Sequence, residues 1–477
     1  MDGLKSKAAK SLFWNGLDKV GFQFIGLIVG IVTARLLSRD DFGHIAALAM
    51  FTYLSNVFIE SGFTSAMVRR QNNTDRDYTA VLSFNVMLSI VFYALLFVCA
   101  PLIAAYFHTP LLTVLARVLF INIIINAFSI VQTIILTKQF RFRELAIADI
   151  SGAVISGVIT IIMAVKGFGY WAIAAQQITQ TLCRTLLLWI LSQWRPVKHA
   201  NFKVIRELFA FSASLILTST ISTGARYIYN FFIRPPRYSM EQLGCYGQAY
   251  KFHNIPNLVI TGTVTGVAYP VLSSLNDNKP RQLLYLRKLM RICAFITFPV
   301  MAGLYAIAPN MITVVLTDKW QPMLPYFNIL IISATFLPFA NIALNTLIAV
   351  GKPKINLYLE MTRNGLMLLL LAVMNSTIEI MLYGYLLATF TAYMLDIIIL
   401  TRYTGYTVTG HIKDILPYAA ISAAMAAIVM LMPRLLDVNV YLMFSLQILA
   451  GAAFYFGTAM LLGSQIIKDI KELILKR

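Results

Sequence analysis

The sequence predicts an all-α integral membrane protein of about fourteen transmembrane helices. They group into two parallel six-helix repeats followed by two extra C-terminal helices. Three observations predict this. The 477 residues are 59% hydrophobic and only 12% charged, with a mean hydropathy of +0.74, whereas a soluble domain carries about 25% charged residues. Apolar runs of membrane-crossing length follow one another with short polar connections. A short motif occurs twice, once in each half. Ser38-Arg39-Asp40-Asp41-Phe42-Gly43-His44-Ile45 and Ser239-Met240-Glu241-Gln242-Leu243-Gly244-Cys245-Tyr246 share Ser, acid, large apolar residue and Gly, 201 positions apart.

The apolar runs cover 12–37, 42–67, 78–107, 111–137, 144–165, 168–191, 208–233, 244–270, 289–316, 323–350, 355–374, 379–401, 415–434 and 440–463. The longest connection lies near 192–207, so no segment suffices for a soluble domain, which needs above roughly 50 residues. Lys5, Lys7 and Lys10 give a basic start. The run behind them is full length, holds Asn15, Asp18, Lys19 and Gln23, and lacks a small-residue cleavage site, which argues against a cleaved signal peptide.

Orientation follows from the basic residues. With the N-terminus inside, the inner connections and termini hold 26 Lys and Arg and the outer connections hold 7 (Arg35, Arg39, Lys166, Arg234, Arg237, Lys319 and Arg434). This bias predicts an even number of spans and two cytoplasmic termini. It also accounts for the net charge of +19 without nucleic acid; membrane lipids are the expected partner of such loops.

In the repeated motif, Ser or an acid starts a helix where the helix dipole favours negative charge. The Gly one turn on permits close approach of another backbone. The duplication extends further: 133–152 aligns with 346–365 at an offset of 213, each copy with a basic inner turn at its centre (Lys138 to Arg143; Lys352 to Lys354). Spans one to six thus correspond to seven to twelve in the same orientation. The predicted domains are 1–195, 196–405, and 406–477 with its two extra spans and basic tail. Repeats of this kind point to a transporter with its site between the halves.

No Gly-rich phosphate loop, HExxH or GxSxG occurs, and the loop acids are isolated, so an enzyme is not expected. Cys99, Cys183, Cys245 and Cys293 are scattered without ligand spacing, so no metal, disulfide frame or cofactor is expected. The informative residues are charges inside the spans, which are costly and therefore candidates for function. Asp18, Lys19 and Glu60 lie at similar depth near the inner ends of spans one and two, so Lys19 and Glu60 are in range to pair. Asp149 and Arg184 match across spans five and six. Arg363 and Asp396 match across eleven and twelve with the signs exchanged. Two readings stand: neutralised pairs that set helix packing, or a proton or sodium site, for which Asp18 and Glu60 are the best acids.

Arg117, Arg226 and Lys251 have no acid at their depth, about six or seven residues from the outer ends, or roughly 10 Å. Either they snorkel to the interface, or they line a wet cavity with a positive wall that attracts a phosphate headgroup. Tyr227, Tyr229, Tyr246, Tyr250, Phe252 and Tyr269 lie nearby and suit either an interfacial belt or a sugar-stacking surface. Pro256, Pro270, Pro299 and Pro338 mark expected kinks.

Together these residues resemble those of the Wzx-type polysaccharide flippases. Ala34 to Gly43 resembles the ARxLxxxxFG signature behind the first span. Pro270-Val271-Leu272-Ser273 is similar to the P-x-L-S turn that ends the eighth. Gly167-Phe168-Gly169-Tyr170-Trp171-Ala172 resembles the GxGxWAL start of the sixth. The likeness runs from about residue 4 to 465 and is strongest to the colanic-acid and teichuronic-acid exporter branch. The wider superfamily also holds drug/cation antiporters and the lipid II flippase. The resemblance implies two six-helix lobes around a central cavity, alternating access, and a bacterial inner-membrane location. It implies a substrate of sugars on undecaprenyl pyrophosphate, with a polysaccharide polymerase and chain-length regulator as possible partners. It assigns no residue role here; Arg226 and Lys251 are placed by location. A multidrug or cation antiporter of the same superfamily is the alternative, and it would favour unpaired acids in the cavity. A membrane-bound sugar polymerase is a third class, against which the short loops argue.

Overall fold

The computed structural model describes residues 2–462 and 466, and helix is the only regular secondary structure among them. The chain divides into two compact units, 1–244 and 245–477.

The first unit holds α1 (Asp2–Leu36), α2 (Arg39–Arg69), α3 (Asp75–Tyr106), α4 (Leu112–Leu119), α5 (Ile121–Ala127), α6 (Ile130–Lys138), α7 (Phe142–Val165), α8 (Tyr170–Ser192) and α9 (Lys203–Phe232), and ends in the first turn of α10 (Met240–Ser274). The second holds the rest of α10, then α11 (Lys279–Met311), α12 (Leu324–Ala334), α13 (Leu337–Ala349), α14 (Pro353–Val373), α15 (Ile378–Thr404), α16 (Val408–Leu435) and α17 (Val440–Leu461). The first unit includes α9, which packs along α2.

Ten helical stretches among the described residues are long and apolar enough to cross a membrane. Alpha-helices α8, α9, α10 and α14 are of comparable length, 23, 30, 35 and 21 residues, with more polar sequences. Large apolar side chains point outward along these helices. Val98 is 72% exposed and Leu461 is 89% exposed, a pattern that only a lipid surround stabilises. The chain is a multi-pass membrane protein.

Local chemistry explains the helix ends. Ser38 caps α2: its hydroxyl accepts from the Asp41 amide at 3.2 Å, and the Asp41 carboxylate accepts the Ser38 amide at 2.9 Å. Thr74 and Asp77 build the same reciprocal cap on α3. Ser239 and Gln242 build it on α10, at 3.1 and 3.0 Å. Each box satisfies two backbone donors that a helix start leaves free. At the other end of α2, the Lys138 ammonium donates to the carbonyls of Arg70 and Gln71, covering acceptors where the dipole is negative.

Two of the apolar runs are interrupted. The run at 111–137 is three short helices, α4 to α6, and the run at 323–350 is two, α12 and α13, with Pro338 in the first turn of α13 rather than at a kink. Neighbours satisfy the freed carbonyls: Trp189 donates to Phe128 at 2.9 Å and Thr185 to Ile125 at 3.3 Å. Small residues set the close crossings. Gly157 of α7 faces Val29 of α1, and Gly152 faces the Gln180 carbonyl of α8, as in membrane bundles generally. The 193–202 connection is pinned to the start of α3 by Trp194 on Asp75, Val197 on Thr79 and Asn201 on Asp77.

Candidate functional site

Two polar constellations stand out in the first unit. In one, the two copies of the repeated motif meet. Gly43 of α2 lies against the Met240 backbone, and Gly244 of α10 lies against the Arg39 carbonyl and the Gly43 amide. The approach is so close that a Cβ on either glycine would overlap a backbone carbonyl oxygen. Arg39 closes the crossing with an ion pair to Glu241 at 2.6 Å. The Gly167–Ala172 motif joins them. Gly169 has a φ of +55° and sits where a Cβ would lie 2.7 Å from Asp41 Oδ1, so a side chain there would be strained and would press on the α2 cap. Three stretches far apart in sequence thus converge on one helix crossing.

Beside this crossing, α9 packs along α2. Asn230 of α9 donates to the Ala46 carbonyl of α2 at 2.8 Å, and Tyr227 stacks on Tyr53 with centroids 4.4 Å apart. Behind α9, the Arg234 guanidinium donates to the Tyr106 carbonyl and lies 4.0 Å from that ring, worth about 1 kcal/mol where partly exposed.

The second constellation is a chain of charged and polar side chains running among the helices of the first unit. Arg184 of α8 is ion-paired with Asp149 of α7, and it donates to Ser129 at 3.1 Å and Thr133 at 3.4 Å. Ser129 donates in turn to Asn126, whose amide donates to Glu60 and to Asn56 of α2. Asp18 of α1 has Asp149, Arg184 and Lys19 as electrostatic neighbours, and its Oδ1 is buried with no hydrogen-bond partner. Asp18 and Glu60, two separate acids in the sequence, are therefore the two ends of one network. Glu60 meets Asn126 rather than Lys19, with no Lys19–Glu60 ion pair among the described residues. The connectors Asn56, Asn126 and Ser129 were missed by a search confined to charges. Uncharged polar residues inside an apolar run were the available signal.

The three cations expected to be free occupy different settings. Arg117 is half-buried, with its guanidinium 4.2 Å from the Phe97 ring centroid and its Nε without a partner. Arg226 of α9 is exposed, in the first unit. Lys251 of α10 is exposed and belongs to the second unit. Neither Arg226 nor Lys251 is in an ion pair among the described residues. Also in the second unit, Asp396 is buried with Arg363 and Glu360 as charged neighbours, and Arg363 reaches Glu360 at 4.0 Å.

The second unit carries a polar cluster that sequence reading did not assemble. Asp414 of α16, 3% exposed, receives Arg287 at 2.9 and 3.0 Å and Arg291 at 2.7 Å, both from α11. Tyr406 donates to Asp414 at 3.2 Å and touches His411 Nδ1 at 3.1 Å; Tyr393 holds His411 Nε2. Burial, and then the adjacent Asp414 charge, push the Tyr406 phenol well above its ordinary range, so it stays a donor. Arg287 and Arg291 read as ordinary loop cations in sequence; only their four-residue spacing hinted at a shared partner. The four cysteines are free thiols, and no metal-ligand group occurs among the described residues.

This helical architecture is similar to that of solved membrane-protein structures. The fold matches a structure of "Lipid II flippase MurJ, inward closed conformation" with a TM-score of 0.77, at 18% identity, covering 95% of this chain and 99% of that one. It matches an inward-facing multidrug resistance MATE family transporter of the MOP superfamily with a TM-score of 0.62, at 15% identity, covering 81% and 96%. The chain itself belongs to the polysaccharide biosynthesis protein family, which residues 32–325 match. Its relatives include the teichuronic acid biosynthesis protein TuaB of Bacillus subtilis (strain 168), 23% identical over 465 residues and 93% of each chain.

Proposed function

We propose that this protein carries an undecaprenyl-pyrophosphate-linked oligosaccharide from the inner to the outer leaflet of a bacterial cytoplasmic membrane by alternating access. The observation that carries the reading is family membership, joined to a relative named for teichuronic acid biosynthesis that matches along nearly the whole chain. A fold shared with a structure named as a lipid II flippase supports it. The physical task is clear: sugars and phosphates entering hydrocarbon without partners lose hydration worth several kcal/mol per group (about 2–7). A protein that offers polar contacts along the way removes that barrier.

Under this reading the fourteen helical stretches are spans, twelve of them forming two parallel repeats, 1–195 and 196–405, with both termini cytoplasmic. Arg226, Lys251 and Arg117 are the cations for the pyrophosphate. The exposure of Lys251 suits a cation available to an anionic ligand. Asp149–Arg184 and Arg363–Asp396 are packing pairs. Asp18 and Glu60 are the acids for ion coupling, Asp18 with its partnerless oxygen being the open end. Polysaccharide polymerase and chain-length regulator remain proposed partners.

A host strain lacking this gene is expected to accumulate undecaprenyl-linked repeat units facing the cytoplasm, read by extraction and mass spectrometry. Drug hypersensitivity without that accumulation would point to the antiporter instead. Arg226→Ala and Lys251→Ala are each expected to cut surface polysaccharide about tenfold at unchanged protein level, the scale of one charge-assisted hydrogen bond. Full export by the double variant would remove both residues from the site.

A further inference from the structure

An apolar cavity of about 180 Å³ lies in the second unit between α11, α13, α15 and α16. Phe298, Phe339, Phe390, Tyr393 and His411 are among its walls. An apolar cavity of about 150 Å³ already stays dry and takes a benzene-sized guest, so this one is suited to a hydrocarbon segment. Its rim is accessible from outside the bundle: Ile398 is 44% exposed and Ile412 is 48% exposed.

The arginine pair lies on α11 and holds a carboxylate of α16, two of the helices that wall this cavity. Arg287, Arg291 and Phe298 follow one another at four and seven residues along α11, so they share a face, and Phe298 lies about 16 Å further along the axis than Arg287. On α16, Val408, His411, Ile412 and Ile415 line the cavity, and Asp414, which holds the arginines, lies next to them in sequence at the edge of that face. Tyr406 bridges cavity-lining His411 to Asp414 through contacts of 3.1 and 3.2 Å. Two arginines on one carboxylate leave one surplus positive charge. Their side chains are 41% and 33% exposed, against 2% for Asp414, so donors remain open to a ligand.

We infer that this cavity and the Arg287–Arg291 pair form a binding site for an anionic glycerophospholipid, a segment of one acyl chain in the cavity and the phosphodiester on the arginines. Basic pockets between membrane helices recognise anionic headgroups. Charge selects the occupant: one surplus positive charge matches a monoanionic phosphodiester, whereas a pyrophosphate would bring further negative charge close to Asp414. The site uses none of the cations proposed for the transported lipid.

Native mass spectrometry of the purified full-length chain tests this with phosphatidylglycerol, phosphatidylcholine and undecaprenyl phosphate as probes. Wild type is expected to retain phosphatidylglycerol about fivefold better than phosphatidylcholine, the worth of one net basic charge near a membrane surface. Arg287→Gln/Arg291→Gln/Asp414→Asn removes that surplus without stranding a buried carboxylate, and is expected to erase the preference. Ile412→Trp, filling the rim and leaving the arginines in place, is expected to reduce phosphatidylglycerol retention and decides the matter if the triple variant does not fold. Equal retention of both phospholipids by wild type, or a preference kept by the triple variant, overturns the assignment. So does an Ile412→Trp protein that releases undecaprenyl phosphate and keeps phosphatidylglycerol.

Discussion

Gly244→Ala is expected to lower both thermal stability and surface polysaccharide sharply, and Gly43→Ala to do the same. A methyl group at either position would run into a backbone carbonyl: Met240 for Gly43, Arg39 for Gly244. Backbone cannot rotate aside as a side chain can, so the two helix starts must separate. Overpacking of a tight contact costs about 1–3 kcal/mol. Separation would also stretch the 2.6 Å Arg39–Glu241 pair and loosen the Asp41 cap beside Gly169. Gly457→Ala is the control. It lies in α17 with nothing within 4 Å of an added Cβ, and should raise stability slightly, by up to about 1 kcal/mol. Thermal unfolding in detergent, with export measured in cells, checks the set. Equal stability and export for Gly244→Ala and Gly457→Ala would show that the crossing is not a tight contact in the working protein.

Arg184→Ala is expected to destabilise the protein by about 2–3 kcal/mol. Loss of one partner from a fully buried pair costs about 3–5 kcal/mol, and the residual exposure here, 25% for Arg184 and 19% for Asp149, lowers that figure. The penalty arises because Asp149 stays in place with Asp18 nearby and no guanidinium between them. Asp149→Ala added to Arg184→Ala should therefore recover most of the loss. A double-mutant cycle on purified protein reads the coupling directly. Additive losses, with no recovery in the double variant, would mean that Arg184 acts through Ser129 and Thr133 instead of through the carboxylate.

The membrane class and helix positions were legible because lipid imposes a simple rule. Each backbone crossing must be a continuous apolar helix or one patched by neighbours, and that rule operates within about 20 residues of local sequence. The helix starts were legible for the same reason: Ser38 with Asp41, and Ser239 with Gln242, are contacts three residues apart. The broken runs at 111–137 and 323–350 were not legible. Their cost is offset by Trp189 and Thr185 for α5, donors supplied from a distant helix.

Site residues divide along the same line. Charges inside apolar runs announced themselves by composition: Asp18, Glu60, Asp149 and Arg184 were all in view. Their order along one network was not, since Asn126 and Ser129 carry no charge and meet Glu60 and Arg184 only through packing. The Arg287–Arg291–Asp414 cluster unites positions more than 120 residues apart.

Sequence alone determined that this chain lives in a membrane, that two of its helices begin at the repeated motif, and that this motif was used twice. These are local or repeated features, governed by hydration and by hydrogen bonds of short span. Only the tertiary structure decided that the two copies touch, glycine beside backbone, and that scattered charges form one chain in the first unit and a clamp on Asp414 in the second. Such contacts depend on which helix faces lie together, and pairwise packing of distant segments leaves no mark at a fixed spacing along the chain.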